Sequence, residues 1–134
     1  MLRPTLRLAL LLSCAAASAA AETRMSAEEF DAFATGRTLD FANEGGIFGT
    51  EEYLPGRRVR WAGSDGQCLE GSWHEWSGHI CFVYDGDPFR HCWTLWRDGE
   101  AVTARSFDDR PGDAPRRVTV ATAPLSCRGP DVGV

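Results

Sequence analysis

The chain has 134 residues, with 19 acidic and 14 basic side chains and a formal net charge of −5 at pH 7. This length suits one domain built around a single hydrophobic core and leaves no room for a second. The acidic balance argues against nucleic acid as a partner, because neutralising phosphate groups requires a basic face.

The first residues have the three-part pattern of a secretory signal peptide. A basic start and an apolar run from Leu8 to Leu12 precede small residues that continue to Ala21. The pattern predicts a signal peptide over residues 1–21 and a mature domain over residues 22–134, located in the periplasm or secreted. The apolar run is shorter than the ~20 residues that a transmembrane helix needs, so no transmembrane segment is expected.

Lipid attachment is a second interpretation of the same segment. Cys14 follows Leu11-Leu12-Ser13, which resembles a bacterial lipoprotein processing site. A lipidated Cys14 would tether the protein to a membrane. Leu12 is bulky for its position in that motif, and the alanines that follow suit ordinary signal cleavage better, so export without a lipid anchor is favoured.

One short helix is predicted at the start of the mature domain. Ser26 and Glu29 form a capping box, two phenylalanines give the segment an apolar edge, and Gly36 can end it in the left-handed conformation. These signals predict a helix from Ala27 to Thr35.

Beyond Arg37 the pattern changes to short segments with Val, Trp and Phe, separated by Gly, Asp, Ser and Pro, which is typical of successive β-strands. Hairpin-sized connections make the central part an antiparallel meander. The predicted fold is therefore mainly β: one short helix followed by a small antiparallel barrel of about eight strands. The predicted strands are Thr38 to Ala42, Gly49 to Leu54, Arg58 to Ala62, Gln67 to Trp76, His79 to Tyr84, Phe89 to Arg97, Ala101 to Phe107 and Arg117 to Thr122.

Four cysteines remain in the mature domain, at Cys68, Cys81, Cys92 and Cys127. An even number in a small exported domain predicts two structural disulfides, and four cysteines allow three pairings. Their spacing is not that of zinc knuckles, so no metal is expected at them.

The register of the central hairpins follows from their turns. If residues 77–78 and 85–88 are the hairpin tips, Cys81 lies opposite Cys92, which predicts a disulfide between them and leaves Cys68 to pair with Cys127. The same count gathers the predicted core on one face: Trp73, Ile80, Phe82, Trp93 and Leu95.

Three runs in these central strands resemble a pattern of small exported proteobacterial proteins of unknown function. They are Gly71-Ser72-Trp73, Ile80-Cys81-Phe82 and Cys92-Trp93. The resemblance covers roughly residues 53–100 and implies a compact, lipocalin-like barrel. It implies no catalytic residue.

Residues typical of catalysis or metal binding do not converge in the predicted sheet. Alternation sets His74 and His79 on the Cys81 face and His91 on the opposite face, so neither a metal nor a cofactor is expected. The sequence has no Gly-x-Ser-x-Gly elbow, and the cysteines are expected to be oxidised, so no catalytic residue is assigned. An enzyme whose site is assembled in space remains an alternative.

Tryptophans are the candidate contact residues. Trp76 and Trp96 fall on the face opposite the predicted core, and with Trp61 they are predicted to bind a ligand or partner. In the other interpretation, the N-terminal helix and the tail cover this face, and the tryptophans form a secondary core. The sequence thus predicts a non-enzymatic, monomeric barrel that binds a small apolar or amphipathic ligand or an envelope protein. The alternatives are an inhibitor-type module against an exported hydrolase and an enzyme.

Overall fold

The computed structural model of the protein describes residues 21–128. The predicted signal peptide, apart from Ala21, and Cys14 lie outside the described residues. No helix in the described range is long and apolar enough to cross a membrane. The elements are β1 (Thr23–Arg24), α1 (Ala27–Ala34), β2 (Thr38–Asn43), β3 (Gly46–Leu54), a 3₁₀ turn (Pro55–Arg57), β4 (Arg58–Gly63), β5 (Cys68–Trp76), β6 (His79–Tyr84), β7 (Arg90–Asp98), β8 (Ala101–Ser106) and β9 (Arg116–Val120).

Strands β2 to β9 form a closed antiparallel barrel of eight strands. Each strand pairs with the next one along the chain, and β9 also pairs with β2, which closes the barrel. Closure removes the exposed sheet edges that an open meander would leave. The predicted fold class is confirmed, and every predicted strand is present, the largest difference being that β3 begins at Gly46 rather than Gly49.

The N-terminal segment adds a short strand and the predicted helix. Strand β1 pairs with the end of β7, and the capping box then starts α1: the backbone N–H of Glu29 donates to Ser26 Oγ at 3.1 Å, and that of Ser26 donates to Glu29 Oε2 at 2.7 Å. The helix ends at Ala34 because Thr35 is already extended and Gly36 has a φ of 81°. The helix prediction is confirmed to within one residue, whereas β1 was not predicted.

Helix α1 closes one end of the barrel. The ring of Phe30 meets Tyr53, Trp73 and Phe82 edge to face, with ring centroids 5.5, 5.1 and 6.4 Å away. Such aromatic pairs contribute ~0.5–1.5 kcal/mol beyond the area they bury. Four of the five predicted core residues are buried, and Trp93 is half-buried against them. We call this end of the barrel the closed end.

Both predicted disulfides are formed. Cys81 and Cys92 lie opposite each other on β6 and β7, as the hairpin register predicted. The Cys68–Cys127 bridge holds the C-terminal tail against the start of β5, where the backbone N–H of Arg128 donates to the carbonyl of Gly66 at 2.7 Å. Two bridges in so small a domain are typical of an oxidising, exported environment.

The other end of the barrel carries no helix. In a meander alternate connections lie at the same end, so the β2–β3, β4–β5, β6–β7 and β8–β9 connections meet opposite α1. We call this the open end. Exposed apolar side chains in or next to these connections include Ile47, Leu69 and Phe89.

Candidate functional site

A cavity of about 280 Å³ occupies the inside of the barrel on the side of the open end. Phe30 and Tyr53 form its floor, and the half-exposed side chains of Leu69 and His91 lie at its mouth. Six aromatic residues form most of its wall: Phe41, Phe48, Trp61, Phe82, Tyr84 and Trp93. An apolar, partly open cavity with a few polar groups is the usual form of a small-molecule site.

A buried carboxyl lies at the floor of this cavity. Glu51 is 2% exposed, and on strand β3 it shares the inward face with Tyr53, two residues further on. The Tyr84 hydroxyl donates to Glu51 Oε1 at 2.7 Å, and the Tyr53 hydroxyl donates to Oε2 at 2.8 Å. Each carboxyl oxygen therefore has one phenol partner.

Burial sets the protonation of this group. It raises the pKa of the Glu51 carboxyl to about 7, although the hydrogen bonds from Tyr84 and Tyr53 act in the opposite direction. Burial, and after it the charge of Glu51, raises the pKa of both tyrosines. Both phenols therefore stay protonated, while Glu51 changes charge near neutral pH.

Two strand glycines leave room for two of the aromatic side chains in the cavity wall. A methyl group on Gly49 would lie 2.0 Å from the ring of Trp61. A methyl group on Gly71 would lie 2.3 Å from the carbonyl oxygen of Val83 and 2.8 Å from the ring of Tyr84. A glycine inside a strand often marks such a close approach, so these two positions fix where the rings stand.

Two pairs of hydrogen-bonded ionisable groups lie near the mouth of the cavity. His91 Nε2 lies 2.7 Å from Asp87 Oδ2, and this hydrogen bond is the largest cause that lowers the pKa of Asp87. Arg116 donates to Asp109, and its guanidinium lies 5.2 Å from the ring centroid of Trp93. Asp87 and His91 belong to the cavity lining, whereas Arg116 reaches it only through its contact with Trp93.

The structure separates the three tryptophans that the sequence singled out. Trp61 lines the cavity. Trp76 lies on the outer surface, 43% exposed, between Phe107 and His79, with the guanidinium of Arg90 4.4 Å from its ring centroid. Trp96, half-buried, also faces outward, and its Nε1 donates to Thr94 Oγ1 at 3.0 Å.

The histidines are divided between the two faces of the sheet. His74 pairs with Cys81 across β5 and β6 on the outer face, and His79 packs against Trp76 there. His91 lines the cavity. Within residues 21–128, no three His, Cys, Asp or Glu side chains come together as metal ligands.

Sequence reasoning missed Glu51, Tyr53 and Tyr84 as site residues. The available signal was alternation: in the predicted strand Gly49 to Leu54, Glu51 falls on the same face as the aromatic Tyr53. A carboxyl on an inward face is rarely buried without partners. Its second partner, Tyr84, lies 33 residues further along the chain.

The fold and the cavity together define a small, closed, disulfide-bonded β-barrel with an internal aromatic cavity. Comparison of the chain with family models, with curated proteins and with solved structures finds no match in any of the three. The resemblance to small exported proteobacterial barrels therefore remains an expectation from the sequence.

Proposed function

We propose that the protein is an exported, non-enzymatic binding protein that holds a small, largely apolar ligand inside its barrel. The observation that carries this proposal is the cavity itself, which six aromatic side chains line and Phe30 closes at its floor. Removing apolar surface from water contributes ~25 cal/mol per Å², so such walls favour an apolar ligand body.

The size of the cavity limits the ligand. At ~30 Å³ for each water-sized group, a cavity of about 280 Å³ has room for roughly ten non-hydrogen atoms. A single aromatic ring with a short side chain fits this volume.

The walls are held in place before any ligand arrives. Gly49 and Gly71 leave space that the rings of Trp61 and Tyr84 fill. The Cys81–Cys92 bridge joins β6, which carries Tyr84, to β7, which carries Trp93. A preformed site loses less conformational entropy on binding than a flexible one, so this rigidity supports a binding role.

Binding is favoured over catalysis by the placement of the titratable groups. Glu51 lies at the floor with two phenol partners, while His91 is hydrogen-bonded to Asp87 at the mouth. General acid and base catalysis needs a group that is free to exchange a proton with the reacting atoms, and both of these groups already have hydrogen-bond partners. An envelope partner, or an exported hydrolase to be inhibited, would instead meet the outer face around Trp76, where Arg90 already covers part of the ring.

The mouth of the cavity provides a direct test. Leu69 lines the mouth and is 40% exposed, and Val83 is 37% exposed on the outer face of β6, so both positions accept a larger side chain. We expect Leu69→Trp to weaken the binding of phenyl compounds with two- or three-carbon side chains at least tenfold, and Val83→Trp to leave it within twofold. Protein-observed NMR titration measures both affinities.

The proposal fails if no compound of this kind shifts the resonances of the cavity residues. It also fails if Leu69→Trp binds as tightly as the unmodified protein, because the ligand would then lie elsewhere.

A further inference from the structure

We infer that the ligand is an amphipathic cation: an amine whose charged nitrogen meets Glu51 at the cavity floor while its apolar body lies against the aromatic walls. This inference rests on the proposed function and names the class of ligand. The arrangement of donors, acceptors and charges around the cavity carries it.

The floor of the cavity offers acceptors rather than donors. Both phenol hydrogens, of Tyr53 and Tyr84, are directed at Glu51. A carboxylate has about four acceptor positions, and within residues 21–128 these two phenols are the only side chains that donate to it. Two acceptor positions on Glu51 and a lone pair on each phenol oxygen remain. An ammonium group, with up to three donors, matches such a floor, while a ligand carboxylate finds no donor on the ionised Glu51.

The charges around the cavity also favour a cationic ligand over an anionic one. Its lining residues include two acids, Glu51 and Asp87, and no arginine, and the sequence contains no lysine. The basic groups near the mouth, His91 and Arg116, are each hydrogen-bonded to an aspartate. An anionic ligand would therefore meet like charge, whereas a cation meets an unpaired carboxyl.

The aromatic walls strengthen the preference for a cation. The faces of aromatic rings carry partial negative charge and attract ammonium groups that lie within about 6 Å of the ring centroid. The rings of Tyr84 and Phe82 are stacked, with centroids 6.4 Å apart, and Tyr84 also holds Glu51. An ammonium group in this cavity is therefore surrounded by aromatic residues and close to a carboxylate.

Binding of such a ligand should also change the protonation of Glu51. Burial keeps this carboxyl partly protonated at neutral pH, and a bound cation stabilises its ionised form. Amine binding below pH 7 should therefore release a proton from Glu51, and the affinity for an amine should rise with pH between 6 and 8.

The experiment compares three probes that share a phenyl body: 2-phenylethylamine, 2-phenylethanol and 3-phenylpropanoate. It uses the exported protein with both disulfides formed, at pH 8, where the amine is still protonated. We expect the amine to bind at least tenfold more tightly than the alcohol, and the anion to bind most weakly. In Glu51→Gln the affinity for the amine should fall to that for the alcohol.

Glu52→Gln is the matched control, because Glu52 is the next residue of β3, is half-exposed and pairs with Arg60. It should keep the preference for the amine.

Calorimetry in buffers with different ionisation enthalpies should detect proton release on amine binding at pH 6.5 and none on alcohol binding. The other groups that face Glu51 in the cavity are Tyr53, Tyr84, Asp87 and His91.

The outcomes separate this inference from the proposed function. Equal binding of amine and alcohol, or tighter binding of the anion, overturns the inference and leaves a binding protein for apolar ligands. Binding of none of the three probes overturns the proposed function as well. If Glu51→Gln does not fold, the pH profile of the unmodified protein decides: an amine affinity that does not change between pH 6 and 8 overturns the inference.

Discussion

Glu51 reduces the stability of the fold that contains it. A carboxyl taken out of water prefers its protonated form, so the pKa of Glu51 is about 7 in the folded protein against 4.5 for the ordinary group. Folding therefore takes up a proton between these two pH values, and stability falls as the pH rises through this window. Below pH 4.5 the neutral acid carries no such penalty.

We predict that Glu51→Gln removes this pH dependence. The difference between pKa values of 4.5 and about 7 corresponds to about 3 kcal/mol of unfolding free energy lost between pH 4.5 and 8. Because glutamine does not titrate, the variant should gain on the unmodified protein by a comparable amount at pH 8 and by little at pH 4.5. Urea unfolding at both pH values measures the difference.

Comparing the variant with the unmodified protein at each pH cancels the other titrating groups. Among these are Asp87, whose pKa is lowered chiefly by the hydrogen bond from His91, and Asp109. Burial acts to raise the pKa of Asp109, but hydrogen bonds from Arg116 and from the backbone of Ser106 lower it overall. Their contribution has the opposite sign and is lost only in more acidic solution. If the unfolding free energies of the two proteins changed in parallel from pH 4.5 to 8, Glu51 would have its ordinary pKa.

Individual elements were predictable from the sequence where local chemistry decides them. The capping box of Ser26 and Glu29 specifies the start of α1 within a few residues of chain. Tight turns specify the β5–β6–β7 register and hence the Cys81–Cys92 bridge. The early start of β3 could not be read in this way, because an irregularity in pairing between Phe41 and Ala42 carries the hairpin on to Gly46.

The cavity was not predictable to the same degree because it depends on distant parts of the chain. Alternation places Glu51 and Tyr53 together on an inward face, but only closure of the barrel brings Tyr84 to them. Trp61 was selected as an aromatic residue, yet its position in the wall depends on Gly49 across the β3–β4 pair. Trp76 and Trp96 were placed on the outward face correctly, and the sequence gives no measure of their exposure.

The two disulfides should contribute unequally to stability. The Cys68–Cys127 bridge spans 59 residues and the Cys81–Cys92 bridge spans 11. Loop-closure entropy gives about 4 kcal/mol for the longer loop and about 3 kcal/mol for the shorter one. We predict that replacing Cys68 and Cys127 by serine lowers the unfolding free energy by up to about 4 kcal/mol and frees the tail.

Chemical denaturation and amide hydrogen exchange measure these two effects. Exchange should accelerate at Arg128, whose N–H donates to Gly66, and stay slow in the β2–β9 pair. Accelerated exchange throughout β9 would instead mean that the bridge, and not the strand pairing, keeps the barrel closed.

The whole molecule is a barrel whose two ends differ. Consecutive pairing from β2 to β9 brings the first and last barrel strands together, so the closed sheet has an inside that the chain must fill. Helix α1 fills one end with Phe30, Ala34 and neighbouring buried side chains. Within residues 21–128, no helix fills the other end. The aromatic cavity, with Glu51 in it, is therefore left unfilled between the helix and the open end.

The helix therefore keeps water from the cavity floor, and this dependence can be tested. We predict that Phe30→Ala lowers the unfolding free energy by about 3–5 kcal/mol, the usual cost of removing a buried phenylalanine, and lowers the pKa of Glu51 towards 4.5, because burial is the largest cause of its raised value. Phe33→Ala is the control from the same helix: Phe33 is only half-buried, beside Arg37 and Arg97, and the change should leave the pKa of Glu51 near 7.

Carbon-detected NMR of the Glu51 carboxyl during a pH titration, with urea unfolding beside it, measures both quantities. Whether stability and the pKa of Glu51 fall together decides what the helix does. A Phe30→Ala protein that loses stability while Glu51 still titrates near pH 7 would mean that the strands alone keep the floor dry. A joint fall in stability and in the pKa of Glu51 would mean that the helix sets the electrostatics of the cavity it closes.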